Sequence, residues 1–136
     1  MRVFLDTNVL ASALGTRGLC ADLFREVIAS EDLVISNPLL TELRRILIHK
    51  FGVPASLADE MMAFLKEDTV HAEPGETQAI DINDKDDVII LSSALNGRAE
   101  LFVTGDKEVL SLRKIGRMKI LSPRDYWDRT RKRGKA

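Results

Sequence analysis

A single cysteine, Cys20, is all the thiol chemistry in this sequence, and it excludes an internal disulfide. The expectation is a reducing, cytoplasmic setting, with Cys20 a small core residue at the head of an apolar stretch. Histidine is scarce as well. His49 and His71 are the two present, and neither has a ligand partner at helical spacing, which argues against zinc. No apolar run is long enough to span a bilayer, and the opening MRVFLDTN lacks the layout of a secretory signal, so no membrane association is expected. Gly-rich phosphate loops of the Walker or GxGxxG kind are missing. So is any Ser-His-acid set, and Cys20 has no evident activator. Repeats and low-complexity linkers are absent too, and 136 residues suffice for one domain with one core.

What remains is an ordinary globular composition, 45% hydrophobic and 30% charged, with a net charge of −1. The charge is unevenly placed. The last eight residues, RTRKRGKA, hold five of the 20 basic side chains and no acid, so residues 1–128 carry −6. A body of that sign is not the strongly basic surface that signals nucleic-acid binding by itself. The expected organisation is one domain over 1–128 and a basic C-terminal tail over 129–136, read as a solvated end with contact to phosphates as the alternative.

Periodicity and punctuation give the elements. Val3–Leu5 reads as a short apolar strand, followed by a helix from about Val9 and a loop at Gly15 and Gly18. Leu23, Phe24, Val27 and Ile28 have helical spacing within 21–30. Leu33–Ile35 is a second strand, after which Ser36 or Asn37 caps a helix with Pro38 in its first turn. A further helix opens at Pro54, with Leu57, Met61, Met62 and Leu65 on its apolar side. Thr69–Ala72 reads as a strand, EPGET as a turn, and Asp84 as the cap of a buried helix over Asp86–Asn96. Leu101–Thr104 and Lys119–Leu121 are later strands, and Ser122-Pro123 starts a last helix. Strands alternating with helices predict an α/β protein: a three-layer α/β/α sandwich with a mainly parallel, Rossmann-like sheet.

Four separated acids stand beside these apolar runs: Asp6 in VFLDTNVL, Glu42 in SNPLLTEL, Asp87 in DKDDVIIL and Asp106 in LFVTGD. Acids at strand ends of an α/β sheet fall where such sheets keep their ligands. Asp6 follows the first strand; helix capping is its structural alternative, but Thr7 and Asn8 serve that purpose equally well. Glu42 lies at the edge of the stripe formed by Leu39, Leu43, Ile46 and Leu47, from which a carboxylate can reach a cleft while its stem stays packed. By itself it reads equally as an exposed Glu paired with Arg45. Asp84, Asp86 and Asp87 crowd three acids into four residues, more than a cap requires. Asp87 directly precedes the buried run and is the preferred ligand, with Asp84 or Asp86 as an additional one. Asp106 ends another strand and would also cap the next helix. Thr104 and Asn8 are placed to orient the carboxylates or hold metal-bound water. Carboxylates gathered in one cleft repel one another, and a hard divalent cation, Mg²⁺ or Mn²⁺, is the usual remedy.

Taken in order, VFLDTNVL, NPLLTEL, DKDDVIILSSAL and LFVTGDKEVL resemble the PIN domain family across roughly residues 1–125. The likeness is greatest to small prokaryotic VapC-type toxins of toxin–antitoxin pairs. One departure is the run VIILSSAL after Asp87, where many such toxins are alanine-rich. The resemblance implies that Asp6, Glu42, Asp87 and Asp106 form an acidic site supported by Thr7, Asn8 and Thr104. It further implies Mg²⁺ or Mn²⁺ dependence, cleavage of RNA to a 5′-phosphate and a 3′-hydroxyl, an antitoxin partner and a homodimer. The residues that would contact RNA are unknown. Two other readings stay open. One is a phosphatase with Asp6 as nucleophile, which usually wants a second acid where Asn8 stands. The other is a catalytically silent binding module that acts through a protein partner, with helices 21–30 and 54–66 supplying the docking groove.

Overall fold

The computed structural model describes residues 1–73 and 75–134. Its chain alternates as predicted. β1 (Arg2–Leu5) leads through α1 (Thr7–Gly15) and α2 (Leu19–Ser30) to β2 (Asp32–Ser36). Then α3 (Asn37–His49) and α4 (Ala55–Leu65) lead to β3 (Val70–Ala72), and α5 (Lys85–Asn96) leads to β4 (Leu101–Val103). After α6 (Lys107–Ser111) come β5 (Lys114–Ile115), β6 (Met118–Leu121) and α7 (Pro123–Gly134).

The six strands form one sheet in the order β3-β2-β1-β4-β6-β5. All neighbours are parallel except β5 and β6, which make an antiparallel hairpin at one edge. The chain therefore walks outward from β1 to β3, then returns to start again at β4 on the other side of β1. Right-handed crossovers put α1–α4 on one face, and the reversed direction of travel puts α5 on the other. Helix α7 packs on α2 and β6. This is the three-layer α/β/α sandwich with a mainly parallel, Rossmann-like sheet. The reversal creates a switch point between the C-terminal ends of β1 and β4, where open α/β sheets form their crevice.

Burial explains why those strands lie in the middle. Val3, Phe4 and Leu5 on β1 and Leu101, Phe102 and Val103 on β4 are all buried, as strands covered on both faces must be. Phe4 and Phe102 are cross-strand partners and stack with ring centroids 5.3 Å apart. Ser36 caps α3 by accepting from the Leu39 N–H at 3.4 Å, with Pro38 in the first turn.

Several sequence expectations needed correction. Helix α1 starts at Thr7, not Val9, because Asp6 rather than a later residue caps it. Ile28 and Leu57 sit on apolar stripes by spacing yet are exposed, and Ile89 is exposed on the helix expected to be buried. The β5–β6 hairpin was not foreseen. It is two residues a side, entered at Arg113 with φ of 62° and turned at Gly116 with φ of 58°. The first part of the expected basic tail is the last turns of α7, not a loose end. There Arg131 lies over the Trp127 ring at 4.0 Å and reaches Glu26 at 3.4 Å. The remainder of that tail, 135–136, and Pro74 of the EPGET turn lie outside the described residues.

Gly97, at the end of α5, makes the closest approach of that helix to the sheet. A Cβ there would meet Val34 Cγ1 at 2.6 Å and the Ala72 Cβ at 2.8 Å. Its φ is −81°, so any residue tolerates the backbone and only space is at issue. Gly97→Ala is therefore expected to lower stability by about 1–3 kcal/mol, against the gain usual for Gly→Ala in unstrained positions. Thermal or urea unfolding checks the sign.

Candidate active site

The crevice at the switch point is built from the two strand ends. The Asp6 N–H donates to the Val103 carbonyl at 2.9 Å, which extends the β1–β4 ladder by one step and fixes Asp6 beside Thr104. The Thr104 hydroxyl donates to Asp6 Oδ2 at 2.7 Å and accepts from the Asp106 N–H at 3.1 Å. One fully buried hydroxyl thus ties the two strand-end acids together. Asp6 Oδ1 accepts from the Thr7 N–H at 2.8 Å. Asp6 is both the cap of α1 and a member of the site: one oxygen serves the helix, the other faces Thr104.

Asp106 likewise caps α6, one carboxylate oxygen accepting from Glu108 N–H at 2.8 Å and Val109 N–H at 3.2 Å. That leaves its other oxygen for the crevice. In the acidic triplet the capping duty falls to Asp84, which accepts from the Asp86 and Asp87 N–H groups at 2.8 and 3.4 Å. Asp87 is released from that duty and half-buried, whereas Asp84 and Asp86 are exposed. Glu42 is half-buried on the second turn of α3 and forms no ion pair with Arg45 among the described residues.

Electrostatics shows that these acids share one field. Burial pushes the Asp87 carboxyl up to about 6, and the charges of Asp84, Asp6, Asp106 and Glu42 add to the effect. Asp6 is raised chiefly by burial, against the hydrogen bonds from Thr104 and Thr7, with Asp106 contributing repulsion. Glu42 is raised by burial and by Asp6 and Asp86. The Thr7 hydroxyl is buried and makes no hydrogen bond, yet it lies near enough to Glu42 to favour the ionised form. Asn8 is exposed and its side chain makes no hydrogen bond among the described residues.

All-oxygen donors, mutual repulsion and one orphaned buried hydroxyl fit a hard divalent cation. No three carboxylate, imidazole or thiol groups among the described residues are close enough to enclose an ion directly. The arrangement suits a cation that keeps several of its waters, as Mg²⁺ does. His49 and His71 stand apart from the crevice and do not add nitrogen donors.

A pH dependence follows for the metal-free protein. Asp87, Asp6 and Glu42 are all raised in the fold, so the folded state holds more protons than the unfolded one above their ordinary values, for Asp87 up to about 6. The Asp87 contribution is fully present below its ordinary carboxylate range and is lost as pH rises through about 6, and those of Asp6 and Glu42 are lost in the same direction. In EDTA the melting temperature should therefore be higher at pH 5 than at pH 7.5. The Asp87 share, discounted for solvent screening, is about 1 kcal/mol. Asp87→Asn should flatten that slope, and an unchanged slope would remove Asp87 from the shared field.

Comparisons with known proteins bear on the family and the fold. A PIN domain family model matches residues 2–108. Among solved structures, the chain is similar to one in the crystal structure of VapBC2 from Rickettsia felis bound to a DNA fragment from their promoter. The TM-score is 0.64 at 15% identity, over 90% of this chain and 98% of the other. No curated protein matches the sequence significantly.

Proposed function

This chain belongs to the PIN domain family, and from that premise we propose that it is a metal-dependent endoribonuclease, the toxin of a toxin–antitoxin pair. The observation that carries the proposal is the Thr104 bridge between Asp6 and Asp106 at the switch point, with Asp87 and Glu42 in the same field. Asp6, Glu42, Asp87 and Asp106 would hold Mg²⁺ or Mn²⁺, with Asp84 or Asp86 as a further ligand. When bound, such an ion lowers the pKa of a coordinated water and offsets charge on a phosphodiester.

The chain's own groups make the crevice ready. Thr104 and the Thr7 N–H keep Asp6 in one rotamer and favour its ionised form. The N-terminal ends of α1, α5 and α6 direct N–H groups at Asp6, Asp84 and Asp106 and offset part of the gathered negative charge. Buried β1 and β4 beneath them hold the two strand-end acids on a rigid support.

An antitoxin partner is part of the same reading. Ile28 and Phe64 are 42% and 52% exposed. They flank a cavity of about 170 Å³ between α2 and α4, rimmed by Glu31, Glu67 and Asp68. Apolar anchors with an acidic border suit a basic amphipathic segment. A homodimer comes with the family resemblance and is checked by mass in solution.

Cleavage of a structured RNA in Mg²⁺ or Mn²⁺ should be abolished by EDTA, and a small phosphate ester should be left intact. Divalent cation should also raise the melting temperature at pH 7.5, a readout independent of turnover. Hydrolysis of the ester would favour a phosphatase. Absence of both cleavage and cation stabilisation would favour the second reading, a silent binding module; the open spacing of the acids is the observation on its side.

A further inference from the structure

A second concavity lies away from the carboxylates. It measures about 660 Å³ and opens at the other end of β4, where Met1, Leu101 and Met118 line it. Four cationic side chains from three separate segments converge there: Arg98 after α5, Arg117 and Lys119 on the hairpin, and Arg129 on α7. Glu100 is the one acid on its lining. None of the four cations is in an ion pair among the described residues. In a body whose first 128 residues carry −6, unneutralised positive charge gathered in one concavity is a local reversal of sign. Because α7 follows directly on β6, its Arg129 is delivered to this same cavity.

Arg98 supplies a second, independent observation. The Ala99 N–H donates to the Ala94 carbonyl at 3.0 Å and the Arg98 N–H to the Leu95 carbonyl at 3.0 Å, closing α5 in a Schellman turn. That turn demands a left-handed residue, usually glycine, at the position of Arg98, whose φ is 58°. Glycine is present one residue earlier, where packing against Val34 and Ala72 requires it. An arginine therefore holds a backbone conformation that disfavours it, with its side chain on the cavity.

We propose that this basic cleft binds the sugar-phosphate backbone of a nucleic acid, at the sheet edge opposite the carboxylates. Three of the four cations are arginines, whose planar forks match phosphate oxygens. They come from three segments that line one cavity, so more than one phosphate can be met. The choice of nucleic acid over an acidic peptide rests on the ribonuclease reading. An edge made of carboxylates repels phosphates, so affinity must come from elsewhere on the surface. The two ends of β4 are separated by the run from Leu101 to Asp106, about 15 Å at the rise of extended chain, and a strand joining them passes over the outside of the helices that cover the sheet.

The test uses the full chain in EDTA, where no cleavage occurs, with fluorescently labelled single-stranded RNA, duplex DNA and polyglutamate. The combined variant Arg98→Gly, Arg117→Ser and Lys119→Thr should weaken RNA binding on the order of tenfold or more. It should also reduce the slope of log affinity against log salt by about 2, at roughly 0.7 per lost contact on a single strand. Arg98→Gly alone should weaken binding while raising the melting temperature by about 3 °C, because glycine relieves the left-handed strain. This single variant keeps the idea testable if the combined one fails to fold. Binding of duplex DNA with the same dependence supports backbone recognition. Unchanged RNA affinity in the combined and single variants overturns the proposal, and so does polyglutamate bound as tightly through the same residues. Absence of cleavage by the unaltered protein in Mg²⁺ or Mn²⁺, with RNA binding that depends on these cations, would sink the ribonuclease reading and leave the cleft standing. Cleavage with binding indifferent to these cations would do the reverse.

Discussion

Asp6→Asn should lose RNA cleavage by about 100- to 1,000-fold, the usual effect of deleting one preorganised electrostatic group from an active site. Asp6 is the acid whose two oxygens are both committed, one to the Thr7 N–H and one to the Thr104 hydroxyl. An amide can keep the same shape and accept the Thr7 bond, and Thr104 can rotate to accept from its NH₂. The fold should therefore survive. Without metal it should gain slightly, because burial and the charge of Asp106 both oppose ionisation of the native carboxylate. The diagnostic result is the combination: cleavage lost, cation-induced stabilisation lost, and melting temperature in EDTA unchanged or raised. Full activity in Asp6→Asn would detach the strand-end acids from the chemistry. A large fall in melting temperature would make the loss of activity a folding defect.

The second large effect is on the support beneath that acid. Phe4→Ala should destabilise the protein by about 3–5 kcal/mol. Phe4 is fully buried, pairs with Phe102 across the β1–β4 ladder and stacks on it at an interplanar angle of 6°. Truncation removes the transfer free energy of a whole ring and leaves a void, since the central strands of a two-sided sheet cannot collapse into it. A domain of this size has about 5–15 kcal/mol in total, so the variant would sit near the edge of stability at 37 °C. Denaturant unfolding measures the loss directly. Phe4→Leu keeps most of the volume and should cost far less. If the two variants cost the same, stacking of the rings rather than filled volume supports the ladder.

Much of the molecule was legible from local chemistry. Ser36 with Pro38 announces α3, Asp84 announces α5, and apolar triplets announce β1, β2 and β4. These depend on residues within one turn or one strand of each other, and such signals survive in a linear reading. The four acids were visible for the same reason, each beside an apolar run. Capping was posed as the alternative to site membership for Asp6 and Asp106, and both turn out to cap their helices. A carboxylate has two oxygens, so one role does not exclude the other.

What the sequence could not contain was adjacency. Asp6 and Thr104 are 98 residues apart and meet only because β1 and β4 are neighbours in the sheet. The basic cleft was illegible for a stronger reason: Arg98, Arg117, Lys119 and Arg129 have no common motif, and strand order alone collects them. The α/β alternation, the buried strands and the acids at their ends follow from residue order, because helix caps and apolar periodicity act over a few residues. Which ends are adjacent, and where the two charge signs separate, follows from the folded sheet, because long-range strand pairing sets both.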